Sequence, residues 1–168
     1  IPPATTVPAA PVTATGQVTA TAASGGKTTL TTTENIKVAV ELPVNAVSSD
    51  TTVSIAPVAK TAATISTAIA SSPAGKSIVG ANVYNYTAVG ASGAAVTSFS
   101  TAVTLTFNYT DAQISGLNES ALKVYYWDTS ASQWVALTTT VNTSTNTLTA
   151  QTTHFTYFAI FGTPAVVS

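Results

Sequence analysis

The feature that most constrains this chain is a period of two in its apolar residues. Ile36-Lys37-Val38-Ala39-Val40-Glu41-Leu42 sets Ile36, Val38, Val40 and Leu42 on one side and mostly polar residues on the other. Successive side chains of a strand point to opposite faces, so the pattern belongs to a strand with one buried face. Similar short runs recur at 18–21, 28–31, 52–56, 78–88, 101–109, 122–127, 133–137, 147–150 and 154–161. Turn-forming clusters separate them: Gly25-Gly26, residues 45–50, Gly90-Ala91-Ser92-Gly93, Ser115-Gly116, residues 128–132 and 142–146. About nine short strands at this spacing predict an all-β fold, an antiparallel β-sandwich with very little helix.

Two stretches break the pattern. Residues 1–15 hold four of the eight prolines (Pro2, Pro3, Pro8, Pro11) and are expected to form an extended linker or arm. The sharper expectation is a strand donated to a neighbour, for which the proline-free stretch Thr13 to Ala22 is better suited. A single sandwich domain then spans 16–168. Its halves, about 16–58 and 77–163, are joined by an Ala- and Ser-rich connection over 59–76. Ile65 and Ile69 lie four apart there, before Pro73-Ala74-Gly75, so the connection is a crossing loop or a short helical turn.

Composition narrows the setting. Apolar residues make up 45% of the 168 but charged ones 7%, and Ser plus Thr about three in ten. Polarity is carried by hydroxyls. A disordered chain combines low hydrophobicity with high net charge, and this one has neither. The net charge is −1, and the five lysines (Lys27, Lys37, Lys60, Lys76, Lys123) are dispersed, which argues against nucleic acid and anionic membrane surfaces. No run is long and apolar enough to cross a bilayer as a helix. Met is absent and the chain opens Ile1-Pro2-Pro3, so it is expected to be a processed or trimmed segment, through removal of a signal peptide or excision from a longer precursor. A secreted or cell-surface location follows as an expectation. Without Cys, disulfides carry no information on compartment.

Two groups of residues carry a resemblance. Gly25-Gly26, the 36–42 strand, Leu42-Pro43-Val44-Asn45-Ala46-Val47 and Asp50-Thr51-Thr52-Val53-Ser54-Ile55 resemble the β-sandwich domain of ankyrins and netrin receptors. Asn45 stands where that family usually has glycine, and Asn is the next-best residue for a left-handed backbone. The second group is Leu122 to Asp128, Trp134, Thr147-Leu148-Thr149-Ala150 and Thr153-His154-Phe155-Thr156-Tyr157-Phe158-Ala159-Ile160-Phe161-Gly162. It is similar to the closing half of modules in bacterial and archaeal surface proteins, and to the autoproteolysis segment of GAIN domains in adhesion receptors. Both likenesses imply a β-sandwich in a surface protein.

The GAIN likeness also implies a chemistry for His154-Phe155-Thr156. The Thr156 hydroxyl would attack the Phe155 carbonyl, with His154 taking its proton, and the bond between Phe155 and Thr156 would break. On one strand, residues two apart share a face, so His154 and Thr156 are expected side by side. The same residues also suit a purely structural strand entrance, because self-cleavage needs strain that a motif does not certify.

Other chemistry finds little purchase. His154 is the sole histidine and no Gly-x-Ser-x-Gly elbow occurs, which argues against a hydrolase triad. The six carboxylates (Glu34, Glu41, Asp50, Asp111, Glu119, Asp128) are scattered. No cofactor is implied and no metal site stands out, the weak candidates for calcium being Asp50 and Asp111. Tyr84, Tyr86, Tyr109, Tyr125, Tyr126, Trp127 and Trp134 raise glycan stacking, but strand aromatics read first as core. Four Asn-x-Ser/Thr sequons begin at Asn85, Asn108, Asn118 and Asn142, the last two in predicted turns.

The function expected from these features is non-enzymatic: a structural subunit of an extracellular filament, pilus-like fibre or surface layer. Copies of the chain would be its partners, through sheet edges or the N-terminal arm. The alternatives are a spacer or adhesion module binding glycan or protein, and a self-cleaving module.

Overall fold

The computed structural model describes residues 9–165, so the first half of the expected arm lies outside the described residues. Among the described residues thirteen strands form two sheets: β1 (Val12–Thr13), β2 (Gln17–Ala20), β3 (Gly26–Thr31), β4 (Lys37–Leu42), β5 (Thr51–Ala59), β6 (Ser77–Ile78), β7 (Asn82–Gly90), β8 (Ser98–Asn108), β9 (Lys123–Asp128), β10 (Gln133–Ala136), β11 (Thr139–Asn142), β12 (Thr147–His154) and β13 (Tyr157–Gly162). One sheet runs β1-β3-β4-β8-β12-β11. The other runs β10-β9-β13-β7-β5-β2, with β6 also pairing β13. All pairings between these strands are antiparallel except β1 with β3. The sandwich is therefore as expected, with extra two- to four-residue strands too short to show a period.

The halves either side of 59–76 are not separate units. Each sheet mixes strands from both, β4 pairing with β8 and β5 with β7. The stretch Thr13 to Ala22 is also used within the chain. β1 pairs with Lys27 and Thr28, and β2 with Thr51 to Ser54. The expected donor segment thus fills positions in its own sheets.

The inner faces behave as the alternation predicts. Val38, Val40, Leu42, Leu105, Phe107 and Leu148 are essentially inaccessible to solvent and form the main core with Val53, Val124, Phe158 and Ile160. Asn45 adopts the left-handed backbone its position requires, at φ 67°. Strand β5 extends past Pro57, which is possible because β2 has ended. Ile55 N–H donates to Gly16 O on that side, and Pro57, two residues on, faces the same unpaired edge.

Residues 59–76 give a 3-10 turn at Ala63–Ile65 and a five-residue helix α1 (Ser66–Ala70). This short unit lies on the outer face of the seven-stranded sheet. Ile65 and Ala68 close a second core with Val83, Tyr125, Trp127, Trp134, Ala159 and Phe161. Trp134 Nε1–H donates to Ala68 O at 2.8 Å, which ties the indole to the helix. Six of the aromatics considered for glycan stacking (Tyr84, Tyr86, Tyr109, Tyr125, Trp127, Trp134) are buried, and Tyr126 is half-buried. As the pleat requires, Tyr125 and Trp127 point to the outer core while Tyr126 packs on the inner one.

Candidate functional site

The His154-Phe155-Thr156 segment is where the chain changes sheets. Strand β12 belongs to the six-stranded sheet and β13 to the seven-stranded one. The expectation of one continuous strand over 154–161 is corrected here: His154 is the last residue of β12, and Phe155 and Thr156 bridge the gap before β13 begins at Tyr157. A sandwich keeps its sheets about 10 Å apart, so a chain that crosses between them has to leave the ladder.

The departure starts at an irregularity in the ladder. β12 is in register with β8 up to Thr152 opposite Val103, and the register shifts before His154 opposite Ser98. The Thr152 side chain, buried in the fold, fills this shift. Its Oγ1 accepts from His154 N–H at 3.3 Å, donates to His154 O at 3.1 Å and lies 3.2 Å from His154 Nδ1. The half-buried His154 ring stands edge-on to Tyr126, with centroids 4.5 Å apart and planes at 87°.

Phe155 turns into the core. Its ring meets Phe99 at 4.6 Å and Tyr86 at 5.5 Å, both nearly edge-to-face. Thr156 docks on the second sheet: its O accepts from Tyr86 N–H at 3.1 Å, and its hydroxyl donates to Trp127 O at 2.9 Å. From Tyr157 the chain lies between β7 and β9, and its end pairs with β6.

His154 and Thr156 are thus neighbours in sequence with different partners. They do not share a strand face, contrary to the i, i+2 expectation, because the sheet change falls between them. Left-handed backbone at non-glycine residues occurs at Asn35, Asn45, Ser132 and Asn146 among the described residues, and not in 154–156. A groove of about 400 Å³ runs beside the segment, lined among others by Thr97, Tyr126, Asp128, Ser130, His154 and Thr156. Asp128 Oδ1 accepts from Ser130 and Ala131 N–H at 2.9 and 3.1 Å, which closes its own turn, and among the described residues the carboxylate makes no hydrogen bond to His154.

The remaining candidates separate by environment. Asn118 and Asn142 are exposed, and each side-chain oxygen accepts backbone N–H bonds in its own turn, Asn118 from Ser120 and Asn142 from Ser144 and Thr145. Asn85 and Asn108 are half-buried in strands, and Asn108 Nδ2 donates to Thr147 Oγ1 at 3.0 Å. Asp111 accepts from Asn146 Nδ2, and Asp50 lies on an exposed turn. Among the described residues no group of three or more His, Cys, Asp or Glu side chains could hold a metal ion. Thr152, the residue that holds the histidine, carries no sequence signal, standing among many threonines of similar context.

Fold and site together define an all-β sandwich whose last two strands meet through a His-Phe-Thr crossing. The family model for GPS, GAIN subdomain B, matches residues 7–165, and the chain belongs to that family. Domains of this family occur in cell-surface or extracellular proteins and are non-catalytic apart from autoproteolysis. The match bears out the GAIN likeness of the closing segment, while the likenesses to bacterial and archaeal surface modules and to ankyrins and netrin receptors have no such support. No curated protein shows significant similarity to the chain.

Proposed function

We propose that the chain is a non-enzymatic structural module of a surface protein, a spacer whose closing strand stays covalently attached. The observation that carries this reading is the separate engagement of the two groups that cleavage would need. The Thr156 hydroxyl is donated to Trp127 O, and His154 Nδ1 is held by Thr152. A spacer fits better than a strand-donated fibre, because the suited donor stretch already pairs in its own sheets. Mass spectrometry under denaturing conditions tests it. One species of the full 168-residue mass is expected; fragments 1–155 and 156–168 would overturn it. Denaturation is essential, since β13 is bonded on both sides and would stay in place after scission.

A second reading, self-cleavage, is favoured by one feature: the complete His154-Phe155-Thr156 segment lies at the sheet change and opens onto a groove. The step would form the Thr156 Oγ1–Phe155 C bond and break the Phe155–Thr156 amide. The hydroxyl proton would pass through His154 to the leaving nitrogen. Water would then hydrolyse the ester, restoring the hydroxyl and leaving a carboxyl on Phe155.

A further inference from the structure

We propose that Thr152 is a positioning residue that fixes the tautomer of His154, placing the ring proton on Nδ1 and leaving Nε2 as the ring's proton acceptor. The argument is a count of hydrogens. A threonine hydroxyl has one proton and two lone pairs. Among the described residues Thr152 Oγ1 has three neighbours within hydrogen-bond reach, all on His154: the backbone N–H, the backbone O and Nδ1. The N–H is necessarily a donor, so it takes one lone pair. The carbonyl O is necessarily an acceptor, so at 3.1 Å it takes the proton. Nδ1, at 3.2 Å, is left facing the second lone pair, and the contact is a hydrogen bond only if Nδ1 bears hydrogen.

The opposite assignment puts the hydroxyl proton on Nδ1. It satisfies two contacts instead of three and leaves two oxygens 3.1 Å apart with no hydrogen between them. Thr152 is 5% exposed, so water is poorly placed to relieve that clash. The tautomer that saturates the hydroxyl is therefore the stable one. A partner on one ring nitrogen thereby decides the state of the other. It goes beyond the spacer reading. Use of Nε2 as the base for the Thr156 hydroxyl rests on self-cleavage, whereas the tautomer itself does not.

The single histidine makes the test clean. The full chain is labelled with nitrogen-15 in histidine, and long-range proton–nitrogen correlation spectra are recorded at about pH 8, where an ordinary imidazole is neutral. In the wild type, Nδ1 should show the proton-bearing signature and Nε2 the lone-pair signature. Thr152→Val, close in shape but without the hydroxyl, should shift the majority population to the Nε2–H form. Thr152→Ser should restore the Nδ1–H form. A wild-type ring with the proton on Nε2 overturns the proposal even if Thr152→Val does not fold. So does a folded Thr152→Val protein that keeps the Nδ1–H form. Denaturing mass spectra of the same samples read cleavage separately, so an intact chain with the Nδ1–H ring removes the self-cleavage use and leaves the tautomer assignment standing.

Discussion

Strands β12 and β13 are joined by two residues, yet they are built on opposite plans. Along β12, Leu148, Ala150 and Thr152 are buried and alternate with more accessible residues, as a strand with one solvated face requires. Along β13, Phe158, Ala159, Ile160 and Phe161 are all buried, because the second sheet is covered on both faces. Phe158 and Ile160 enter the core between the sheets. Ala159 and Phe161 enter the one beneath α1. The crossing therefore takes the chain from a strand that could be solvated on one side to one that cannot. This is why a scission there would leave the last strand in place.

The comparison is broken most directly by truncating one outward-facing side chain in each strand. Phe161 is 1% exposed and packs its ring 5.1 Å from Tyr125 and 5.3 Å from Trp134. Phe161→Ala should cost about 3–5 kcal/mol, as for large aromatic truncations in cores. Gln151, on the outer face of β12, is exposed, and Gln151→Ala should stay within about 0.5 kcal/mol. Urea unfolding of the two variants measures the contrast. Equal losses would mean that the outer face of the second sheet is not a core.

Alkali probes the same sheet with a smaller effect. Burial, then the charge of Glu34, pushes the Tyr84 hydroxyl up to about 12, and burial raises Tyr86 on β7 and Tyr125 on β9 as well. A raised folded-state value means the native protein holds its proton while the unfolded chain releases it. Stability is thus intact below pH 10 and falls as pH rises towards 12, by roughly 2–3 kcal/mol for Tyr84. The thermal midpoint, followed with tyrosinate absorbance, should decline together with ionisation. Free titration of Tyr84, Tyr86 and Tyr125 at about pH 10 in the folded protein, identified by the absorbance lost in the single Tyr→Phe variants, would contradict this.

These contrasts also explain what could be read from the residues. The one-sided strands were legible because a solvated face imposes a period of two: β4 shows it fully. The end of β12 was not. Phe155-Thr156-Tyr157 continues in strand-forming residues, and only the distance between sheets forces the break. The 59–76 segment stayed open between loop and helical turn for a related reason. Five helical residues have little stability of their own, and α1 is held by what it covers, above all Trp134 through Ala68. At the site, the motif identified His154, Phe155 and Thr156, but the partners that define their state, Thr152 and Trp127 O, are set by tertiary structure.

The finest difference lies between the polar tips of two buried aromatics, one in each core. Trp134, in the outer core, has its Nε1–H satisfied by Ala68 O. Tyr86, in the inner core, is 1% exposed between Phe107, Phe155 and Phe158, and its hydroxyl has no hydrogen-bond partner among the described residues. Removing a satisfied group sacrifices a bond, whereas removing an unsatisfied one relieves a desolvation penalty. Tyr86→Phe should therefore stabilise the protein by about 1 kcal/mol, while Trp134→Phe, which deletes a paired N–H, should destabilise it. Both are read as midpoint shifts in urea with the slope unchanged. A loss of stability in Tyr86→Phe would show that its hydroxyl is paired in solution. The inner core at the crossing would then be as well satisfied as the outer one.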